Sequence, residues 1–543
     1  MDRCTRGPAV GLIPLDDRPC TFEFPMRIAE IAGMDIATPP RELLGCFLQP
    51  GDPDTILDWV QYSASDLHSL IVSLEMIVYG GLIASRSPDV SESEVHRRLA
   101  RFFNIACNHP DLRVYASGVI MRITTTARSQ ECIERWRLLQ RFSILSSKVA
   151  DGLASDTERD ELVQVTRDLP HEAVEEYEVV RRRNHAVNLS SVFLASLGVF
   201  DFLVIGQEDA ALAGPHRPEQ KAILDVNRRL SNSALLIHPG ADELNLILLA
   251  REIVRAETSR LRGRKPPIVL PIFLPQAGAT AVPKFEDRQL IETVESHICA
   301  CGAVLSDVEW GCNLRSAAEA ADIILLVHAP DPWRAQEHQF DHVAMAEEDM
   351  IDGQQTCHYR DEFEDAMELL KWAADRGKIV GVADVRTVNG ADPDFVKAVI
   401  DVLPPGRLAA YAGWNTSANS IGTCLAQAIA AWSTSPASTA NIRFLFERLV
   451  DDYLYQSVYR LRATKRLLDA GKDPWNFSGD DTARDLLNLE LEDMVKSARS
   501  VFDHYFASCP AGEFRLTEIC CENPWDRTFE CRVNATIEEV DAL

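Results

Sequence analysis

Two places in the chain set carboxylates side by side. These are Glu208-Asp209, after the run FLVIGQ, and Asp242-Glu243, in the segment HPGADE. Paired carboxylates suit general acid–base work, because different surroundings can push their pKa values apart. Each pair directly follows a short apolar run. The same position is taken by Asp16-Asp17-Arg18 after Ala9–Leu15 and by Arg122 after Val114–Met121. Glu75 falls inside the run Leu70–Val78, which leads through Tyr79-Gly80-Gly81 to Ser85-Arg86. Helix capping competes for Asp242-Glu243, since acids favour a helix N-terminus. Capping accounts for one acid well, but less well for several strand ends rich in acids and arginines.

A second kind of loop is the segment 413–423, GWNTSANSIGT, ahead of a helical run. Backbone N–H groups at a helix start, with small hydroxyl and amide side chains, can hold a phosphate, a carboxylate or a sugar hydroxyl. Trp414, Asn415 and Asn419 are its candidates, with a glycine-tolerant tight turn as the competing explanation. The loop has neither the lysine of a P-loop nor a GxGxxG pattern. Arg181, Asn184 and Asn188 share one helical face that could point into a cleft, and a solvated face is the expectation there. No HExxH and no GxSxG occurs, and His238, His328, His342 and His358 are scattered. Histidine-bound metal and serine-based hydrolysis therefore lack support. Cys299, Cys301, Cys312 and the pair Cys520-Cys521 do not have zinc-ribbon spacing. Cys20 and Cys424 lie in candidate loops, where a lone cysteine reads as inert filling.

The elements that must position these loops are short and mostly continuous apolar runs, which suit strands buried on both faces. Besides those already named they include Leu235–His238, Ile268–Leu274, Ile323–Val327, Ile379–Ala383 and Leu408–Ala412. Helical patterns alternate with them, so the expected fold class is α/β with parallel sheets and flanking helices. The charged, proline-ended stretch ETSRLRGRKPP marks a boundary. The expected organisation is an N-terminal α/β domain over residues 1–262 with a helical insertion near 128–200. A second α/β domain follows over 263–435, then a C-terminal helical region and tail over 436–543, the last forty residues suiting a hairpin. The alternative is a β/α barrel followed by a smaller α/β domain. No internal repeat is visible. Sites in such folds form at the carboxyl ends of the strands.

The charge of −27 limits the partners. A surface this negative repels nucleic-acid phosphates and disfavours anionic membranes. No apolar run is long enough to span a bilayer. Fourteen scattered cysteines without a secretory signal read as reduced thiols, so a cytoplasmic location is expected.

Five ordered motifs, LIPLDDRP, YGGLIASR, GADE, GWNTSANSIGT and PWDRTFE, resemble a bacterial family classed as domain of unknown function number four-one-two-seven. The resemblance spans nearly the whole chain and implies a shared site without an established activity. The segment His238–Glu243 is also similar to the HxGGDE strand end of β-N-acetylhexosaminidases, lacking its second glycine. That likeness implies Asp242 as the residue orienting the substrate and Glu243 as the acid. The expected function is hydrolysis of a glycosidic bond in a small sugar conjugate. Glu243, Asp242, Glu208 and Asp209 are the catalytic candidates. Asp16, Asp17, Arg18, Glu75, Arg86, Arg122, Trp414, Asn415 and Asn419 are the substrate-binding ones. No cofactor is required by this chemistry. Two alternatives stand beside it: a hydrolase or transferase using the same acids as Mg²⁺ or Mn²⁺ ligands, and a non-catalytic sugar- or metabolite-binding protein.

Overall fold

Two parallel sheets and a C-terminal hairpin carry the architecture of the computed structural model, which describes residues 9–126, 132–261, 263–307, 314–330 and 357–540. Cys312, His342 and the side chain of His358 lie outside the described residues. The chain folds into two units. Unit 1 takes the described residues up to Glu23, then Met34–Leu248 and Phe285–Asp287. Unit 2 takes Phe24–Gly33, Leu249–Lys284 and the described residues from Arg288 onward. The change between them falls inside the helix Leu244–Arg260.

Unit 1 is built on an open sheet of β1 (Ala9–Ile13), β2 (Ile36–Ala37), β3 (Leu67–Ser73), β4 (Arg113–Ile120), β5 (Phe202–Gln207) and β6 (Leu235–Pro239). The order is β2-β1-β3-β4-β5-β6 and every pairing is parallel. This is a doubly wound order, and its switch point lies between β1 and β3, the position where sheets of this kind bind ligands. Ile13, Leu70, Val72, Val114, Leu203 and Ile205 belong to one apolar core. The run Leu70–Val78 divides in the structure: the strand stops at Ser73 and the helix Leu74–Tyr79 begins at once. Glu75 therefore stands in the first turn of a helix, just past the strand end. Register aligns Ile120 with Gln207 and Gln207 with Pro239. Arg122, Glu208-Asp209 and Asp242 thus emerge close to one level.

The insertion is three helices, Ile133–Ala150, Asp156–Asp168 and His171–Ser196. The second starts on a capping box, with Ser155 and Glu158 each serving the other's backbone N–H.

Unit 2 repeats the strand order. Its main sheet contains β7 (Ile268–Leu274), β8 (Val304–Leu305), β9 (Ile323–His328), β10 (Ile379–Asp384) and β11 (Ala410–Ala412), again all parallel. Read spatially it runs β8-β7-β9-β10-β11, so both units use the order second, first, third, fourth, fifth. The sequence carries no visible repeat, yet the topology recurs. Neither sheet closes into a barrel. The C-terminal segments share the core of this sheet. Phe446, Phe502 and Phe506 from helices, and Val533, Ala535 and Ile537 from a hairpin, pack with Val380, Val382 and Tyr411. The hairpin is β12 (Gly512–Glu522) paired antiparallel with β13 (Arg532–Glu539). Burial alternates along β13, so one face meets the core and the other meets water.

Candidate functional site

At the switch point of unit 1, the turn after β1 aims Arg18 between two acids. Its Nε lies 2.9 Å from Asp16 Oδ2 and its Nη2 2.7 Å from the same oxygen. The other edge of the guanidinium holds Asp242, with Nη2 2.6 Å from Oδ1 and Nη1 3.2 Å from Oδ2. Thr21 donates to Asp16 Oδ1 at 2.8 Å and fixes the turn. Planar two-edged pairing of this kind is what arginine supplies and lysine does not. All three charged groups are buried. Burial alone would raise the Asp16 carboxyl, but the Arg18 charge and hydrogen bonds from Arg18 and Thr21 outweigh it and lower its pKa. For Asp242 burial wins, and Arg18 recovers only part of the shift, so its pKa is raised. Burial pulls on Arg18 as well, yet the charges of Asp16 and Asp242 carry it well above its ordinary value.

A second charged group stands at the ends of β4 and β5. Arg86 pairs with Glu208 Oε1, and its Nη1 donates to Thr126 at 2.7 Å. Arg122 pairs with Asp209, with its Nε 3.7 Å from Glu208 Oε1. The other oxygen of Glu208, Oε2, is buried without a hydrogen-bond partner, as is Arg86 Nε. Buried polar atoms are nearly always paired, so these two stand out as exceptions. The two groups feel each other: the Glu208 charge helps raise Asp242, and both Arg18 and Asp242 act on Arg86. Asp16, Arg18, Arg86, Arg122, Glu208, Asp209 and Asp242 therefore form one electrostatic cluster. Asp17 is held differently, by Arg41, which donates to its backbone carbonyl.

Two acids with raised pKa values complete the set. Glu75 is pushed up to about 7 by burial, against hydrogen bonds from Val119 N at 2.8 Å and from Ser73, with the Glu208 charge adding to the rise. Glu243 is fully enclosed and pushed up to about 8, again mainly by burial, with the Asp242 charge adding to it. Its Oε2 accepts from Ala241 N at 3.1 Å, so the carboxyl turns back over its own loop. Gly240 makes room for it. The backbone there has φ +112°, and a Cβ would fall 1.8 Å from Glu243 Oε1.

A solvated face was expected for Arg181, Asn184 and Asn188, and the structure overturns that expectation. All three are buried, because the strand-end loops lie on them. Arg181 donates to the carbonyls of Met121 and Arg122, Asn184 to Ser85, and Asn188 to Val119. Their neighbour Arg183 holds the carbonyls of Ser85, Ser87 and Val90. The helix His171–Ser196 thus latches the backbone that carries Arg86 and Arg122.

Sequence reading also missed a polar chain behind Glu208. Gln207 donates to the Glu208 carbonyl at 2.8 Å and accepts from Gln220 at 3.2 Å. Gln220 in turn donates to Asp287 at 2.7 Å, and His216 Nε2 lies 3.7 Å from Asp287 Oδ2. Burial pushes His216 down to about 3, so the ring is neutral. Spacing gives no hint of this chain, because Asp287 comes from a distant segment.

Trp414, Asn415 and Asn419 belong to unit 2, beyond the end of β11. The indole of Trp414 is buried edge-on against Phe24, and its Nε1 donates to Thr423 at 3.2 Å. Asn415 has φ +50°, and its carbonyl accepts from Asn389 N at 2.8 Å. In the same unit His328 Nδ1 lies 2.7 Å from Asp384 Oδ1, across paired positions of β9 and β10. Cys20 and Cys424 are both buried, and burial pushes the Cys424 thiol up, away from the reactive thiolate.

The fold and the cluster define the class: an α/β protein of two doubly wound parallel sheets, with an arginine–carboxylate site at the switch point of the first. A family model described as "Protein of unknown function (DUF4127)" matches residues 10–534, and the chain belongs to that family. No curated protein and no solved structure matches the chain. No described helix is long and apolar enough to cross a membrane.

Proposed function

We propose that unit 1 hydrolyses a glycosidic bond in a small sugar conjugate. The observation that carries this reading is the Glu208 carboxylate. One of its oxygens is held by Arg86 and the other is buried without a partner. Such an oxygen is placed to take a proton from water or from a sugar hydroxyl. Glu243, neutral near pH 7, is the proton donor for the leaving oxygen, and Asp242, fixed by Arg18, orients the substrate. In this scheme water attacks the anomeric carbon, its proton passes to Glu208, and the broken C–O bond leaves its electron pair on the oxygen that Glu243 protonates. Acids in contrasting protonation states are what such chemistry uses. The ion pairs favour this reading over a metal-dependent one. Asp16, Asp242, Glu208 and Asp209 are each engaged by an arginine, which a divalent cation would have to displace.

The test is a screen of nitrophenyl glycosides with the wild-type protein and Glu208→Gln. Loss of a general base should lower turnover by about 10²–10⁴-fold. Glu243→Gln should slow poor leaving groups more than nitrophenol. Unchanged turnover in Glu208→Gln overturns the assignment. Binding without turnover across the screen identifies a binding protein instead, and activity lost to chelator and restored by Mn²⁺ identifies a metal site.

A further inference from the structure

We infer, taking Glu208 as the base, that the short segment Phe285–Asp287 sets the position of its carboxylate, with Asp287 a positioning residue that acts through Gln220 and Gln207. The segment rejoins unit 1 after the chain has left it at Leu248. The turn that carries Glu208 and Asp209 is held from two sides. On the side of β4, Glu208 N donates to Ile120 O and Ile123 N to Asp209 O, each at 3.3 Å, which is long for such bonds. The shorter bonds come from the other side. Ala210 N donates to Phe285 O at 2.7 Å, and the Glu208 carbonyl accepts from Gln207 at 2.8 Å. The placement of the two acids therefore depends more on Phe285–Asp287 and the amides behind it than on the neighbouring strand.

Hydrogen-bond direction is handed along these amides. A carboxylate accepts and cannot donate, so Asp287 Oδ2 requires Gln220 to present its N–H₂, which it does at 2.7 Å. The second hydrogen of that nitrogen serves Gln207 Oε1 at 3.2 Å. With its oxygen so engaged, Gln207 turns its own N–H₂ to the Glu208 carbonyl. Gln207, Glu208, Gln220 and Asp287 are all buried, where a reversed amide would set two acceptors against each other without water to relieve them. His216 does not compete for Asp287, because its neutral ring stands 3.7 Å away. Asp287 also anchors the segment itself, since Arg217 Nη1 lies 3.2 Å from its Oδ2. Phe285, two residues earlier, is held at φ +69°, a backbone region that residues with a Cβ seldom adopt. Released from Asp287, it would relax and withdraw its carbonyl from Ala210.

Amide hydrogen exchange and turnover of a nitrophenyl glycoside, measured on the full-length wild type, Asp287→Ala and Asp287→Asn, test the proposal. Asp287→Ala should speed exchange at Ala210 by about three- to tenfold, the worth of one net hydrogen bond, and leave the amides of β4 unchanged. Its kcat should fall by about tenfold or more with KM within about twofold, since a displaced catalytic group costs rate before it costs binding. Asp287→Asn keeps an acceptor oxygen and should restore both readouts, which separates hydrogen-bond direction from charge. If Asp287→Ala does not fold, Gln220→Met, unbranched like glutamine, cuts the same link and takes its place. Exchange at Ala210 that is unchanged, or raised equally along β4, overturns the proposal, because Asp287 then has no hold on the turn or only a general structural one. Faster exchange at Ala210 with unchanged kcat overturns it as well. A wild type that turns over no glycoside yet shows the exchange pattern supports the placement of Glu208 by Asp287 and removes only the hydrolase role.

Discussion

Arg18 and Asp242, 224 positions apart in the chain, face each other with Nη2 2.6 Å from Oδ1 and Nη1 3.2 Å from Oδ2. The pair ties the end of the first strand of unit 1 to the end of its sixth, and Asp16 on the other edge of the guanidinium prevents it from swinging away.

Asp242→Asn removes one of the two carboxylates on Arg18 and leaves the guanidinium paired with Asp16. It should therefore destabilise the protein by about 1–3 kcal/mol, the cost of a lost buried charge-assisted hydrogen bond. Urea unfolding measures it, and a loss below about 1 kcal/mol would mean that Asp16 alone suffices for Arg18.

Glu243 and Glu75 should make stability fall with rising pH. Their folded-state values, about 8 and about 7, lie above the ordinary 4.5. Between those limits the folded state binds more protons than the unfolded one, so the contribution is complete below pH 4.5. It is lost as pH rises through 7 and 8. Glu243→Gln and Glu75→Gln should each flatten the decline. Melting temperatures across this range that run parallel for wild type and variants would contradict it.

The helix His171–Ser196 should be sensitive at Arg183 and tolerant beside it. Arg183→Ala strips the Ser87 and Val90 carbonyls of this donor, leaves Ser85 with Asn184 alone, and should cost about 2–4 kcal/mol. Arg182, exposed on the same helix, should change stability by less than about 0.5 kcal/mol when replaced by alanine. Equal effects in denaturant titrations would remove the latch from the account.

Gly240→Ala should perturb more than its backbone. At Gly377, where φ is +74° and nothing lies near a Cβ, alanine meets backbone strain of about 1 kcal/mol. At Gly240 the added methyl must also displace the Glu243 carboxyl. The variant should lose more stability than Gly377→Ala and show an altered pH dependence. Two superimposable melting profiles would show that the carboxyl moves aside at no cost.

The sequence by itself determined the α/β class, most strand positions and the loops worth reading, because continuous apolar runs and their terminating residues are local signals. The acids and arginines after those runs were legible for the same reason: in a parallel sheet whatever follows a strand stands at its carboxyl end. Tertiary structure alone decided the strand order, and with it which loops meet. Arg18 could have paired with any of several acids until β1 and β6 took their places in one sheet. It also decided that Arg181, Asn184 and Asn188 are buried, since a polar helical face reads as solvated until strand-end carbonyls are laid upon it. The chain from Glu208 through Gln207 and Gln220 to Asp287 and His216 had no signal at all. Hydrogen bonding between segments so far apart in sequence follows from the fold and leaves no spacing to detect.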